Sequence, residues 1–66
     1  MLEITLSFES NTMALKADRV LSQEGIAHSV IPSPRRCGLC IRFSADLMDT
    51  VYKYLREGGV TWIAQN

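Results

Sequence analysis

Sixty-six residues make one small domain, residues 1–66, of a size that buries only about 60% of its unfolded surface, which favours a surface loop over an enclosed pocket as a site. Hydrophobic residues make up 47% of the chain, a folding composition and not a disordered one. Seven basic and seven acidic side chains cancel, which argues against broad capture of nucleic acid or anionic lipid, and no apolar run is long enough to span a bilayer. The default expectation is a cytoplasmic protein without nucleic-acid or membrane partners.

At the start, Leu2, Ile4, Leu6 and Phe8 alternate with Glu3, Thr5, Ser7 and Glu9. That period of two predicts a strand with one buried face. Ser10, Asn11 and Thr12 supply capping oxygens for a helix. Its apolar stripe is Met13, Ala14, Ala17, Val20 and Leu21, with Lys16, Asp18 and Arg19 outside it. Gly25 is placed to end it in a left-handed conformation. Ile26 to Ile31 reads as a short strand stopped by Pro32, with His28 an exposed strand residue.

A third strand follows, in which Leu39, Ile41 and Phe43 alternate with Cys40, Arg42 and Ser44. Ser44 caps a second helix whose stripe is Leu47, Met48, Val51, Tyr52 and Leu55, and Gly58-Gly59 ends it. Val60 to Ala64 reads as the last strand. Strand-helix-strand-strand-helix-strand is the α+β, ferredoxin-like split βαβ order: an antiparallel sheet with two helices on one face. Trp62, Tyr52 and Tyr54 belong to the core and its rim, and Glu3 and Arg42 to the open face of the sheet.

One stretch escapes these periodicities. Pro32-Ser33-Pro34-Arg35-Arg36-Cys37-Gly38-Leu39-Cys40 contains both prolines and both cysteines of the chain. The prolines stiffen the approach, and Gly38 leaves room for close approach to the backbone. The topology sets this loop beside the Ser10-Asn11-Thr12 helix start, whose partial positive charge favours an anion. With Arg35 and Arg36 alongside, Cys37 is the candidate reactive thiolate. Cys40 is a candidate second thiol. A thioredoxin-like redox pair would open a helix, whereas Cys40 falls in a strand, and extended residues three apart are about 10 Å apart, too far for a disulfide. Structural zinc asks for four ligands where Cys37 and Cys40 supply two. A two-thiolate copper(I) site stays open.

These residues resemble a known family, the Putative Se/S carrier protein-like domains, which occur alone or fused behind a TusA-like sulfur carrier. The resemblance runs nearly end to end. It rests on Phe8 and Ser10 of a Phe-x-Ser element, then on Ala14, Leu15, Ala17 and Asp18 of an Ala-Leu-x-Ala-acidic helix. Its most specific part is Pro32, Pro34 and Arg35 of a Pro-x-Pro-Arg element, followed by Cys37-Gly38. Family members place several residues between the last two elements; here only Arg36 lies between them.

The resemblance implies a carrier that holds sulfur or selenium on Cys37 as persulfide or selenide-level cargo and passes it to a partner protein. It implies a carrier more than an enzyme with its own turnover, with no resident cofactor or metal. Arg35, Arg36 and the Cys37 and Gly38 backbone N–H groups would steady the anionic cargo. Cys40 is no part of the family pattern, and as a feature of this chain it would resolve the persulfide or stand inert. Two other readings compete. One is a soft-metal (copper(I) or zinc) protein using Cys37 and Cys40, and the other is a non-catalytic interaction domain. Donor and acceptor proteins are the implied partners, and a homodimer is compatible with all three readings.

Overall fold

A computed structural model describes residues 2–33 and 38–65. Pro34, Arg35, Arg36 and Cys37 lie outside the described residues. The elements are β1 (Glu3–Ser7), α1 (Asn11–Gln23), β2 (Ser29–Pro32), β3 (Leu39–Ser44), α2 (Met48–Glu57) and β4 (Ala64–Gln65). They form one antiparallel sheet in the order β2-β3-β1-β4, the ferredoxin-like arrangement. The two central strands carry the longest ladder, Glu3↔Ser44 through Ser7↔Cys40. The fourth strand is only two residues long and pairs Leu6↔Gln65 and Ser7↔Ala64.

The alternation in β1 and β3 sets the core. Ile4 and Leu6 from β1, and Ile41 and Phe43 from β3, join Ala14, Ala17 and Leu21 of α1 and Val51 and Leu55 of α2 in one buried cluster. One cluster means that both helices cover the same face of the sheet. Each large side chain so buried contributes roughly 1.5–3 kcal/mol relative to exposure. Exposed Arg42 in β3 and exposed Glu3 in β1 point to the other face, as their places in the alternation require. Leu2 departs from the pattern: it precedes β1 and is exposed, and its carbonyl accepts from Ala45 N–H at 3.0 Å.

Each helix starts and stops by local chemistry. The Ser10 hydroxyl accepts from Met13 N–H at 3.2 Å, the N-cap of α1. Gly25 (φ 69°) and Gly59 (φ 74°) adopt the left-handed conformation just past the helix ends. Ser44 caps a single 3-10 turn, Ala45–Leu47, which runs into α2.

Two strands begin later than their sequence suggests. Ile26 N–H bonds back to the Leu21 carbonyl at 2.9 Å and its side chain packs on the core, so the end of α1 claims it and β2 starts only at Ser29. Val60 N–H likewise bonds to the Leu55 carbonyl at 2.8 Å, and β4 starts at Ala64.

His28 is not an exposed strand residue. It lies ahead of β2 with its side chain 8% exposed, Nδ1 2.7 Å from the Ile26 carbonyl and Nε2 2.6 Å from Asp18 Oδ1. The ring thus bridges the Ile26 carbonyl just past the end of α1 and the Asp18 carboxylate on α1. His28→Ala removes the link between α1 and the approach to β2 and leaves the Ile26 carbonyl without its ring partner. It is expected to lower unfolding free energy by about 1–3 kcal/mol, read from urea denaturation. A midpoint equal to that of wild type would show the link to be idle.

Candidate functional site

The proline-cysteine stretch is the connection between β2 and β3, and the described residues define its base. Pro32 pairs with Leu39, and beyond that pair Ser33 N–H donates to the Gly38 carbonyl at 2.9 Å. Ser33 and Gly38 therefore close the base of the β2–β3 hairpin with a hydrogen bond. Pro32 is tolerated because β2 is an edge strand.

A second contact ties this base to α1. Asn11, the first residue of the helix, uses Oδ1 to accept Leu39 N–H at 3.1 Å. Gly38 has φ 125°, and a Cβ there would stand 3.0 Å from the same Asn11 oxygen. Only glycine fits that backbone and that distance. Gly38 and the start of α1 are thus neighbours.

Cys40 lies in quite different surroundings. It is in the centre of the sheet, paired with Ser7 of β1 on one side and Ile31 of β2 on the other. Its side chain points away from the helices, opposite in the alternation to Leu39 and Ile41, and is fully buried. Sγ is 3.6 Å from Ser7 Oγ, itself buried, and the cysteine is a free thiol. The small, weakly polar thiol suits this place as a core filler with one hydroxyl partner.

Comparison with known proteins now bears on this hairpin. The model of the family described as Putative Se/S carrier protein-like matches residues 3–64. The chain belongs to this family. No curated protein and no solved structure shows a significant match. The family match spans every element from β1 to the first residue of β4, and so includes the whole cysteine hairpin and the helix start that abuts it.

In this member of the Se/S carrier protein-like family, the expected site residues divide into two groups. Gly38 and Cys40 are placed by the structure, and they are not equivalent: one stands at the loop base beside α1, the other inside the sheet. Arg35, Arg36 and Cys37 lie outside the described residues. Among the described residues, no cluster of three or more His, Cys, Asp or Glu side chains could hold a metal ion. Also among them, no helix is long and apolar enough to cross a membrane.

Three aromatic side chains form a packed ladder. Phe43 meets Tyr52 edge-on at 6.4 Å, and Tyr52 stacks on Trp62 at 4.8 Å. Burial raises the pKa of the Tyr52 hydroxyl above its ordinary value. Sequence reasoning missed one positioning side chain, Asn11. An asparagine at a helix start reads as a cap for its own helix, and nothing in the local pattern marks an oxygen turned outward to a strand 28 positions away.

Proposed function

We propose that this protein carries sulfur or selenium on Cys37, as a persulfide or its seleno analogue, and hands it to a partner protein. The observation that carries the reading is the clamped hairpin base. The Ser33–Gly38 and Asn11–Leu39 hydrogen bonds hold the residue next to Cys37 at the start of α1, in a family named for selenium and sulfur carriage. A helix start favours an anionic neighbour, the form in which a thiol both attacks and holds sulfane sulfur.

In this reading Arg35 and Arg36 draw in the anionic donor and, with the Gly38 backbone, steady the charged cargo. Loading is a thiol exchange. The Cys37 thiolate attacks the outer sulfur of a donor persulfide, the donor S–S bond breaks, and the donor thiol departs with the displaced proton. No resident cofactor is needed, and the protein acts as a carrier, not as an enzyme with its own turnover. A cytoplasmic location fits a working free thiol, since that compartment keeps thiols reduced.

The test is intact mass of the protein after incubation with a cysteine desulfurase and either cysteine or selenocysteine, which load the donor with the outer sulfur or selenium that is transferred, in the absence of reductant. The expected product is a reductant-sensitive gain of one sulfur or selenium that is lost in Cys37→Ser and kept in Cys40→Ala. No adduct in the wild-type protein, or an adduct that survives in Cys37→Ser, would refute the reading.

A further inference from the structure

The second thiol of the Cys-x-x-Cys pair decides how cargo can leave. A persulfide on Cys37 has two routes of discharge. In the internal route the Cys40 thiolate attacks the inner sulfur of Cys37, the S–S bond breaks, hydrosulfide leaves, and a Cys37–Cys40 disulfide remains. In the external route an acceptor thiolate attacks the outer sulfur. The S–S bond then breaks with its electron pair staying on Cys37, which takes up the acceptor's proton, and the acceptor becomes the persulfide. Both routes balance without an added oxidant or reductant.

Three observations bear on Cys40. It is fully buried, it faces the side of the sheet away from the helices, and its Sγ lies 3.6 Å from the buried Ser7 hydroxyl. Its backbone is held from both sides, by the Ser7↔Cys40 pair of the β1–β3 ladder and the Ile31↔Cys40 pair of the β2–β3 ladder. Turning this thiol outward means opening the central strand of a four-stranded sheet. Such openings cost free energy close to that of global unfolding. The clamped base beside it works against the same movement, since Leu39 N–H is held by Asn11.

We infer that Cys40 is sequestered from the chemistry of Cys37, so that cargo leaves only by attack of an external thiol or selenol. The partner this requires is a protein with an exposed, low-pKa cysteine or selenocysteine. The inference rests on the carrier reading, and it narrows the acceptor to a nucleophile that takes the outer atom. With Cys40 held inside the sheet, release as free hydrosulfide by internal disulfide formation is the route this inference rejects.

The full-length protein, loaded anaerobically by a desulfurase and cysteine and freed of the donor, is followed by intact mass with and without a cysteine-containing peptide as acceptor. The expected result is discharge proportional to peptide concentration, with the added sulfur appearing on the peptide. No species should appear that lacks the two thiol hydrogens. The discharge rate of Cys40→Ala should match wild type within about twofold. Native-state alkylation with iodoacetamide should modify one thiol, and both only after denaturation. A Cys37–Cys40 disulfide with release of hydrosulfide from the loaded protein would overturn the inference and leave the carrier reading standing. So would alkylation of Cys40 in the folded state. Failure to load at all would bring down the carrier reading, and the inference with it.

Discussion

Gly38→Ala is expected to destabilise the protein by about 1–3 kcal/mol and to slow loading of Cys37. The backbone at Gly38 has φ 125°, where a side chain is strained, and the new Cβ would meet Asn11 Oδ1 at 3.0 Å. For a domain of this size the fall in melting temperature is roughly 4–8 °C per kcal/mol. Relief of the strain would rotate Gly38 away from α1 and break the bonds from Ser33 N–H and Leu39 N–H that close the hairpin.

Asn11→Ala separates the two causes. Alone it removes an exposed hydrogen bond and should cost about 0.5–1.5 kcal/mol. Combined with Gly38→Ala it removes the close contact but not the backbone strain. The double variant should therefore lose less than the sum of the singles, by on the order of 0.5 kcal/mol or more. Thermal denaturation gives the stabilities and intact mass after desulfurase treatment gives the loading. Strict additivity would mean that Asn11 and Gly38 do not press on one another. A Gly38→Ala protein as stable and as readily loaded as wild type would show that the clamp does not position the site.

The second large effect is in the core. Leu6→Ala is expected to remove about 2–5 kcal/mol from a domain whose total stability, at roughly 0.05–0.15 kcal/mol per residue, is about 3–10 kcal/mol. The substitution should therefore take away about half of the domain's stability. Leu6 is fully buried, opposes Ile41 in β3 and Gln65 in β4, and belongs to the cluster that joins the sheet to both helices. Alanine leaves a hole between layers that cannot easily collapse. Trp62, the one tryptophan of the chain, stacks on Tyr52 and reports unfolding by its fluorescence in a urea titration. Leu2→Ala is the control, since Leu2 is 79% exposed and should change stability by no more than about 0.5 kcal/mol. Equal effects at the two leucines would contradict the burial difference.

Much of the fold was legible before any coordinates. Ile4 and Leu6, then Ile41 and Phe43, declare by their alternation which side of each strand is buried, and the helix stripes of Ala14, Ala17, Leu21, Val51 and Leu55 fit that side. Ser10 and Gly25 mark the ends of α1 by cap chemistry that acts over a few residues. The element boundaries were less legible. Ile26 and Val60 have the composition of strand residues, yet their N–H groups bond to the preceding helices at Leu21 and Leu55. A β-branched residue after a helix suits either partner, and only the folded chain chooses.

The candidate site divides in the same way. From the residues alone it followed that the cysteine hairpin sits beside the start of α1, because split βαβ topology puts those two ends together. The alternation also places Cys40 and Arg42 on the same side of β3, but it carries no information on what covers that side. Arg42 is exposed there while Cys40 is fully buried against Ser7. Asn11 reaching Leu39, and Asp18 reaching His28, are likewise contacts between segments with no shared local pattern. The sequence by itself determined the elements, their order and the faces they bury, because periodicity and capping are short-range. Only the tertiary structure decided which thiol is shut inside and which side chain clamps the loop, because burial and partnership depend on what the rest of the chain brings alongside.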